Sequence, residues 1–228
     1  MIGIETSVMP RQRGLRHTML YRRFGKRQFD FICALLALII LLPIILVFAV
    51  LIRVKLGSPV IFRQKRPGRH GKLFTLFKLR SMTDARDSSG HLLRDSQRLG
   101  KFGRFLRASS VDELPELFNV LRGEMSLVGP RPLLIEYLSR YTAEQSRRHE
   151  VRPGITGWAQ VSGRNAIPFS RRLELDVWYV DNCSARLDLR ILVMTIVRLT
   201  RVDDVRSGQD VRDVDDIGLN TESSRTKI

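Results

Sequence analysis

Two adjacent carboxylates, Asp112 and Glu113, stand in Ser109-Ser-Val-Asp-Glu-Leu-Pro115, just before an apolar pattern of helical period. Pro115 is tolerated only in the first turn of a helix, where its missing N–H would have no partner anyway. The spacing therefore predicts Asp112 at or near a helix N-cap. There the unpaired N–H groups and the positive end of the helix dipole lower a carboxylate's pKa and hold it ionised. Alone, the pair reads as ordinary helix-start residues. Its surroundings point further. In Val128-Gly-Pro-Arg-Pro132 two prolines fix the backbone around Arg131, so its guanidinium has little entropy left to lose. Arg152-Pro-Gly-Ile-Thr-Gly157 and Trp158-Ala-Gln-Val-Ser-Gly-Arg164 follow. Their glycines permit close backbone approach, and their arginines suit bidentate binding of phosphate oxygens. An acidic pair beside rigid arginine loops points to phosphate chemistry. An Asp can attack phosphorus, a carboxylate can hold a Mg²⁺ that bridges phosphate oxygens, and arginines can neutralise the transition state.

The elements that must position these groups are legible in outline. Leu114, Leu117, Phe118 and Leu121 recur at helical spacing and share one face, and Gly123 closes that helix. Residues 133–145, 169–180 and 187–199 are further helix candidates. The last, apolar and amphipathic with Arg190 and Arg198 off its main face, suits either the core or a membrane interface. Residues 60–62 and 73–77 read as short strands or extended segments around the turn Arg66-Pro-Gly-Arg-His-Gly71. Residues 84–95 are polar and loop-like.

A second constraint comes from Phe31 to Ile52, a charge-free apolar run of 22 residues with Pro43 inside it. If helical and straight, such a run spans the ~30 Å of bilayer hydrocarbon. Residues 1–83 hold 16 Lys and Arg against only Glu5 and Asp30, while the remaining 145 residues of the 228 are nearly neutral. The basic excess therefore hugs the apolar run on both sides, where anionic headgroups favour each basic residue by about 1 kcal/mol. This placement argues for a phospholipid surface and against nucleic acid as the partner of a chain with net charge +16. Basic flanks mark the cytoplasmic side, so a spanning helix would carry one cluster across. A helix that enters, breaks at Pro43 and returns keeps both clusters inside. Pro43 has no N–H for the carbonyl of Ile39, and the two halves, 31–42 and 44–52, each reach only about mid-bilayer at ~1.5 Å per residue. A proline-kinked spanning helix is the alternative. The two cysteines, Cys33 and Cys183, make neither a disulfide framework nor a zinc spacing.

From about Lys26 to about Ser207 the chain resembles the bacterial sugar transferases, in the minimal form of the monotopic phosphoglycosyl transferases. The resemblance is carried by Lys26-Arg-Gln-Phe-Asp30, the apolar run with its proline, Phe62-Arg-Gln-Lys-Arg-Pro-Gly68, and Phe77-Lys-Leu-Arg-Ser-Met82. It continues through Asp112-Glu-Leu-Pro115, Met125-Ser-Leu-Val-Gly-Pro-Arg-Pro132, and Val151 to Arg164, in matching order and spacing. Two departures stand out: Leu42 precedes the membrane proline where the family often has Ser, and Ser162 occupies a position where Asn is common.

The resemblance implies an enzyme that transfers a sugar 1-phosphate from a UDP-sugar to polyprenol (undecaprenyl) phosphate and releases UMP. It implies Asp112 as nucleophile through a phosphosugar–aspartyl intermediate and Glu113 as the Mg²⁺ ligand. Lys78, Arg107 and Arg131 fall on positions linked to phosphate recognition, and Asp188 on an acidic position near the site. The expected setting is the cytoplasmic face of the bacterial inner membrane, at the first membrane step of exopolysaccharide or glycoconjugate synthesis. The alternatives are a catalytically silent membrane scaffold for glycan assembly, or direct transfer without a covalent intermediate. The expected fold is α+β and mainly helical, a single compact cytoplasmic domain with an N-terminal re-entrant, proline-broken membrane helix and amphipathic interfacial helices. The expected divisions are a basic mobile arm (1–23), the re-entrant helix (24–55), the catalytic domain (56–202) and a polar, disordered tail (203–228). No particular sugar or oligomeric state follows.

Overall fold

The structure, a computed structural model, describes residues 21–163 and 167–200. The arm through residue 20, Arg164 and the tail from 203 lie outside the described residues. A turn of π-helix, Tyr21–Gly25, leads into α1, Lys26–Lys55. Helix α1 is long and apolar enough to cross a membrane by length and composition. It is a single helical element through Pro43 rather than two separate halves. Residues on both sides of the proline pack on the domain: Ala37, Leu38 and Leu41 before it, Phe48 and Ile52 after it. This packing offsets the one hydrogen bond that proline cannot donate. The stripe of buried and half-buried residues, Ala34, Leu38, Leu41, Ile45, Phe48 and Ile52, recurs every three or four residues. The remaining faces, including Ile32, Leu36, Ile40, Val47, Val50 and Val54, are exposed.

Both ends of α1 dock on the same domain. At its start Lys26 Nζ lies 2.6 Å from Asp188 Oδ2, and Arg27 donates to the carbonyls of Val120 and Leu121 at 2.6 and 2.8 Å. Near its end Ile52 is fully buried with Leu79 and Leu106, and the Lys55 ammonium sits 5.0 Å from the centroid of the Phe102 ring.

The expected short strands are β1, Ile61–Pro67, and β2, Leu73–Leu79, longer than predicted and paired antiparallel, with Ile61 opposite Leu79 and Pro67 opposite Leu73. Helix α2, Lys101–Ala108, follows the polar loop. Its Gly103 is pressed so closely on the Ser81 carbonyl that any Cβ would collide with it. Helix α3 is Glu116–Arg122, closed as expected by Gly123 at φ 79°. Leu117 of its apolar face is buried, but Phe118 is 43% exposed, so the face is narrower than the sequence pattern. Buried Asn119 ties α3 to β2: it donates to the Thr75 carbonyl at 2.7 Å and accepts from Phe77 N at 3.1 Å.

Strands β3, Ser126–Val128, and β4, Gly154–Thr156, pair in parallel. Residues 133–145 do not form one helix. They make a 3₁₀ stretch, Ile135–Arg140, then extended Tyr141, then a new turn, Ala143–Ser146, begun by the Thr142 capping box. That box restarts the chain in a new direction. Helix α4, Phe169–Asn182, and helix α5, Ala185–Thr200, match their expectations. Helix α5 has one face in the core and one apolar face exposed. Ile191 is fully buried, whereas Leu189, Val193, Ile196 and Val197 stay exposed. The described residues are thus mainly helical with two small sheets.

Candidate active site

Asp112 and Glu113 lie in a short 3₁₀ turn, Val111–Glu113, that precedes α3 and is set off from α2 by Ser110 in the left-handed region at φ 56°. Such backbone in a non-glycine residue is costly and clusters at functional sites. The first α3 amides that bond within the chain are those of Leu117 and Phe118, which reach Leu114 and Pro115. Pro115 is the residue that flanks α3, so Asp112 is not its N-cap.

The expected lowering of the Asp112 pKa is accordingly reversed. The side chain is buried, and burial together with the adjacent Glu113 charge pushes it up to about 6, against the pull of Lys78, Arg107 and Arg131. Desolvation outweighs a dipole that does not point at it. Among the described residues no hydrogen bond or ion pair falls on the Asp112 carboxylate. Glu113 is the converse. Its Oε1 accepts from Lys78 Nζ at 2.7 Å and from Arg131 Nη2 at 2.6 Å. Burial favours the neutral acid, but the two cations outweigh it and hold Glu113 well below the usual carboxylate range.

Strand β2 supplies Lys78, directed to the acidic turn beside Asn119 of α3. Helix α2 supplies Arg107, one turn beyond the close approach of Gly103 to Ser81, with Nε donating to Ser81 Oγ at 3.0 Å. The loop after β3 supplies Arg131, with its side chain 44% exposed. Four of the sequence-derived site residues beyond Asp112 therefore divide cleanly. Lys78 and Arg131 touch Glu113, and the Arg107 charge acts on Asp112. Asp188 makes its contacts elsewhere: it accepts from Tyr21 Oη, Lys26 Nζ and Tyr179 Oη at 2.7, 2.6 and 2.6 Å, at the foot of α1. Pro43 lies within α1.

The glycine-rich loop packs on the loop that carries Arg131. Gly129, Gly154 and Gly157 are packed backbone to backbone against one another, each too close to admit a Cβ. Arg152 Nε donates to the Gly123 carbonyl at 2.8 Å, capping α3. A third acid adjoins the pair. Glu116, nearly fully buried in the first turn of α3, places Oε1 at 3.1 Å from Lys78 Nζ. Burial and the Glu113 charge raise it to about 7. Nothing in the sequence marks it, because a glutamate in a first helical turn is ordinary.

The acidic pair could share a metal with a substrate. Mg²⁺ commonly takes one or two carboxylates and completes its shell with phosphate oxygens and water. Among the described residues no group of three metal-ligating side chains forms a closed cage. Glu113, held ionised, is the carboxylate that fits such a shared ion.

The model of the bacterial sugar transferase family matches residues 21–202. The uncharacterized sugar transferase EpsL of Bacillus subtilis is 60% identical over 171 residues, which cover 75% of this chain and 85% of the relative. The undecaprenyl-phosphate galactose phosphotransferase of Salmonella typhimurium is 39% identical, over 79% of this chain and 41% of its own length. The UDP-glucose:undecaprenyl-phosphate glucose-1-phosphate transferase of Xanthomonas campestris pv. campestris is 43% identical, over 75% of this chain and 37% of its own length. The match thus spans most of the first relative and about two-fifths of the other two.

Proposed function

We propose, for a chain that belongs to the bacterial sugar transferase family, that it transfers a sugar 1-phosphate from a UDP-sugar to polyprenol phosphate in two steps. An Asp112 carboxylate oxygen attacks the sugar-bearing β-phosphorus. The bond from that phosphorus to the oxygen bridging the two phosphates breaks, and UMP leaves. The sugar phosphate remains on Asp112 as an acyl phosphate. A phosphate oxygen of the polyprenol phosphate then attacks the same phosphorus, the Asp112–phosphorus bond breaks, and polyprenyl diphosphate sugar departs.

The observation that carries this reading is the unequal treatment of the two neighbouring acids. Glu113 is clamped by Lys78 and Arg131, while Asp112 is buried, without a hydrogen-bonding partner among the described residues, and raised to about 6. An unpaired carboxylate keeps its lone pairs for attack, and at neutral pH it is still mostly ionised. Adjacent acids pushed apart in this way serve separate roles. Arg131 and Arg107 are exposed cations on the open side, placed to meet phosphate oxygens as charge builds on them. Glu113 would hold Mg²⁺, which when bound supplies charge neutralisation across the diphosphate.

The lipid acceptor requires a site at membrane height. Helix α1 serves this as a re-entrant element, continuous through Pro43, that stays within the cytoplasmic leaflet. Two features support that topology. The basic clusters flank the apolar run on both sides, and both ends of α1 dock on one polar domain. The exposed apolar face of α5 adds an interfacial surface. The enzyme then sits on the cytoplasmic face of the inner membrane. Intact-protein mass with UDP-sugars in the absence of acceptor tests the covalent step. An adduct of one sugar phosphate is expected, and its absence in Asp112→Asn assigns the nucleophile.

A further inference from the structure

Arg131 lies between two prolines, neither of which has an N–H to donate. Two carbonyls of this loop are held by hydrogen bonds. That of Pro130 accepts from Gly154 N at 3.0 Å, continuing the β3–β4 pairing. That of Arg131 accepts from Arg148 Nη2 at 2.7 Å. Arg148 is itself immobile. Its side chain is 1% exposed, Nε and Nη2 both donate to Asp176 Oδ2 at 3.1 and 2.6 Å, and Nη1 donates to Tyr141 Oη at 3.1 Å. A planar guanidinium held on three edges has no rotation left.

A buried ion pair is weak as a source of stability, because apolar side chains of similar volume often serve as well. This one ends on the main chain of the residue whose Nη2 reaches Glu113 at 2.6 Å. We propose that Arg148 and Asp176 are positioning residues for the transfer: anchored on α4, they fix the Arg131 carbonyl and so aim the Arg131 guanidinium at Glu113 and the phosphates. The relay runs Asp176, Arg148, Arg131, Glu113. It rests on the reading of Arg131 as a phosphate-binding group given above.

The test is a double-mutant cycle on the full chain in detergent or nanodiscs, with UMP release as readout and thermal unfolding to confirm folding. The pair is removed as R148M/D176L, which deletes both charges and roughly keeps volume, and is compared with R131M and with all three together. R131M should lower kcat/KM by about 100-fold or more, as loss of one preorganised transition-state donor does. The folded pair variant should lose about tenfold or more, mainly in kcat, because misplacement of a catalytic group by ~1 Å is costly. It should add less than about twofold once Arg131 is gone, since coupled residues are not additive. A folded pair variant with wild-type kcat/KM overturns the proposal. So does a loss that multiplies in full onto R131M, which would mean that the pair acts by another route. A neutral R131M overturns the underlying reading of Arg131 and the proposal with it. Should the double variant not fold, R148K carries the same test, because a lysine keeps the charge but cannot span Asp176, Tyr141 and the Arg131 carbonyl together.

Discussion

Asp112 and Glu113 are neighbours in sequence and opposites in circumstance. One oxygen of Glu113 is shared by Lys78 at 2.7 Å and Arg131 at 2.6 Å, while Asp112 is buried and raised to about 6, in part by the Glu113 charge itself. The more isolated acid is tuned by its clamped neighbour.

The pH profile of UMP release follows from this. Asp112 must be ionised to attack, so activity should rise with pH and reach half its plateau near pH 6. An unperturbed aspartate would place that limb near pH 4. In the absence of Mg²⁺, Glu113→Gln removes a charge that raises Asp112, so the Asp112 carboxyl should titrate at lower pH. Lys78→Met removes a charge that lowers Asp112, so its limb should move to higher pH. Shifts in one common direction would sink the assignment.

Glu113→Gln should also lose most activity, by about 100-fold or more, and the remainder should respond weakly to Mg²⁺ titration. Unchanged activity with unchanged metal dependence would remove Glu113 from the metal site.

Asp188→Asn addresses a different question. Its contacts with Tyr21, Lys26 and Tyr179 make it an anchor for α1. Removing one partner of a buried ion pair costs about 3 kcal/mol or more, equivalent to a fall in Tm of roughly 10 °C for a domain of this size. The acid limb should stay near pH 6, because Asp188 is not among the groups that shift Asp112. A moved limb with unchanged Tm would return Asp188 to the site.

The topology of α1 is open to labelling. Arg23→Cys and Lys55→Cys, each in a Cys33→Ser background, flank the apolar run, and the native Cys183 is buried and should stay unreactive. With a re-entrant helix both should react with an impermeant maleimide only from the cytoplasmic side, in inside-out vesicles. Labelling from opposite sides would mean that the helix spans.

The sequence made the parts legible where local rules decide. The β1–β2 pair, the Gly123 cap, and helices α4 and α5 follow from turn residues and apolar period. It misled where tertiary burial decides. Pro115 correctly marked a helix start, but Asp112 lies in a separate 3₁₀ turn ahead of it, so the expected dipole effect gave way to desolvation. The pattern over 133–145 looks helical by period, yet Thr142 and Gln145 cap a separate turn. Arginine spacing alone could not separate Arg131, which meets Glu113, from Arg152, which caps α3. Glu116 was hidden because a glutamate in a first helical turn is ordinary, and only burial beside Lys78 makes it distinctive.

The most direct measurement is the intact mass of the protein after incubation with a panel of UDP-sugars and Mg²⁺, without lipid acceptor. The account predicts an added sugar phosphate with one donor, stoichiometric UMP, loss of the adduct when polyprenol phosphate is supplied, and no adduct in Asp112→Asn. UMP release that requires acceptor, with no adduct from any donor, would contradict it and assign the transfer to direct attack by the lipid phosphate.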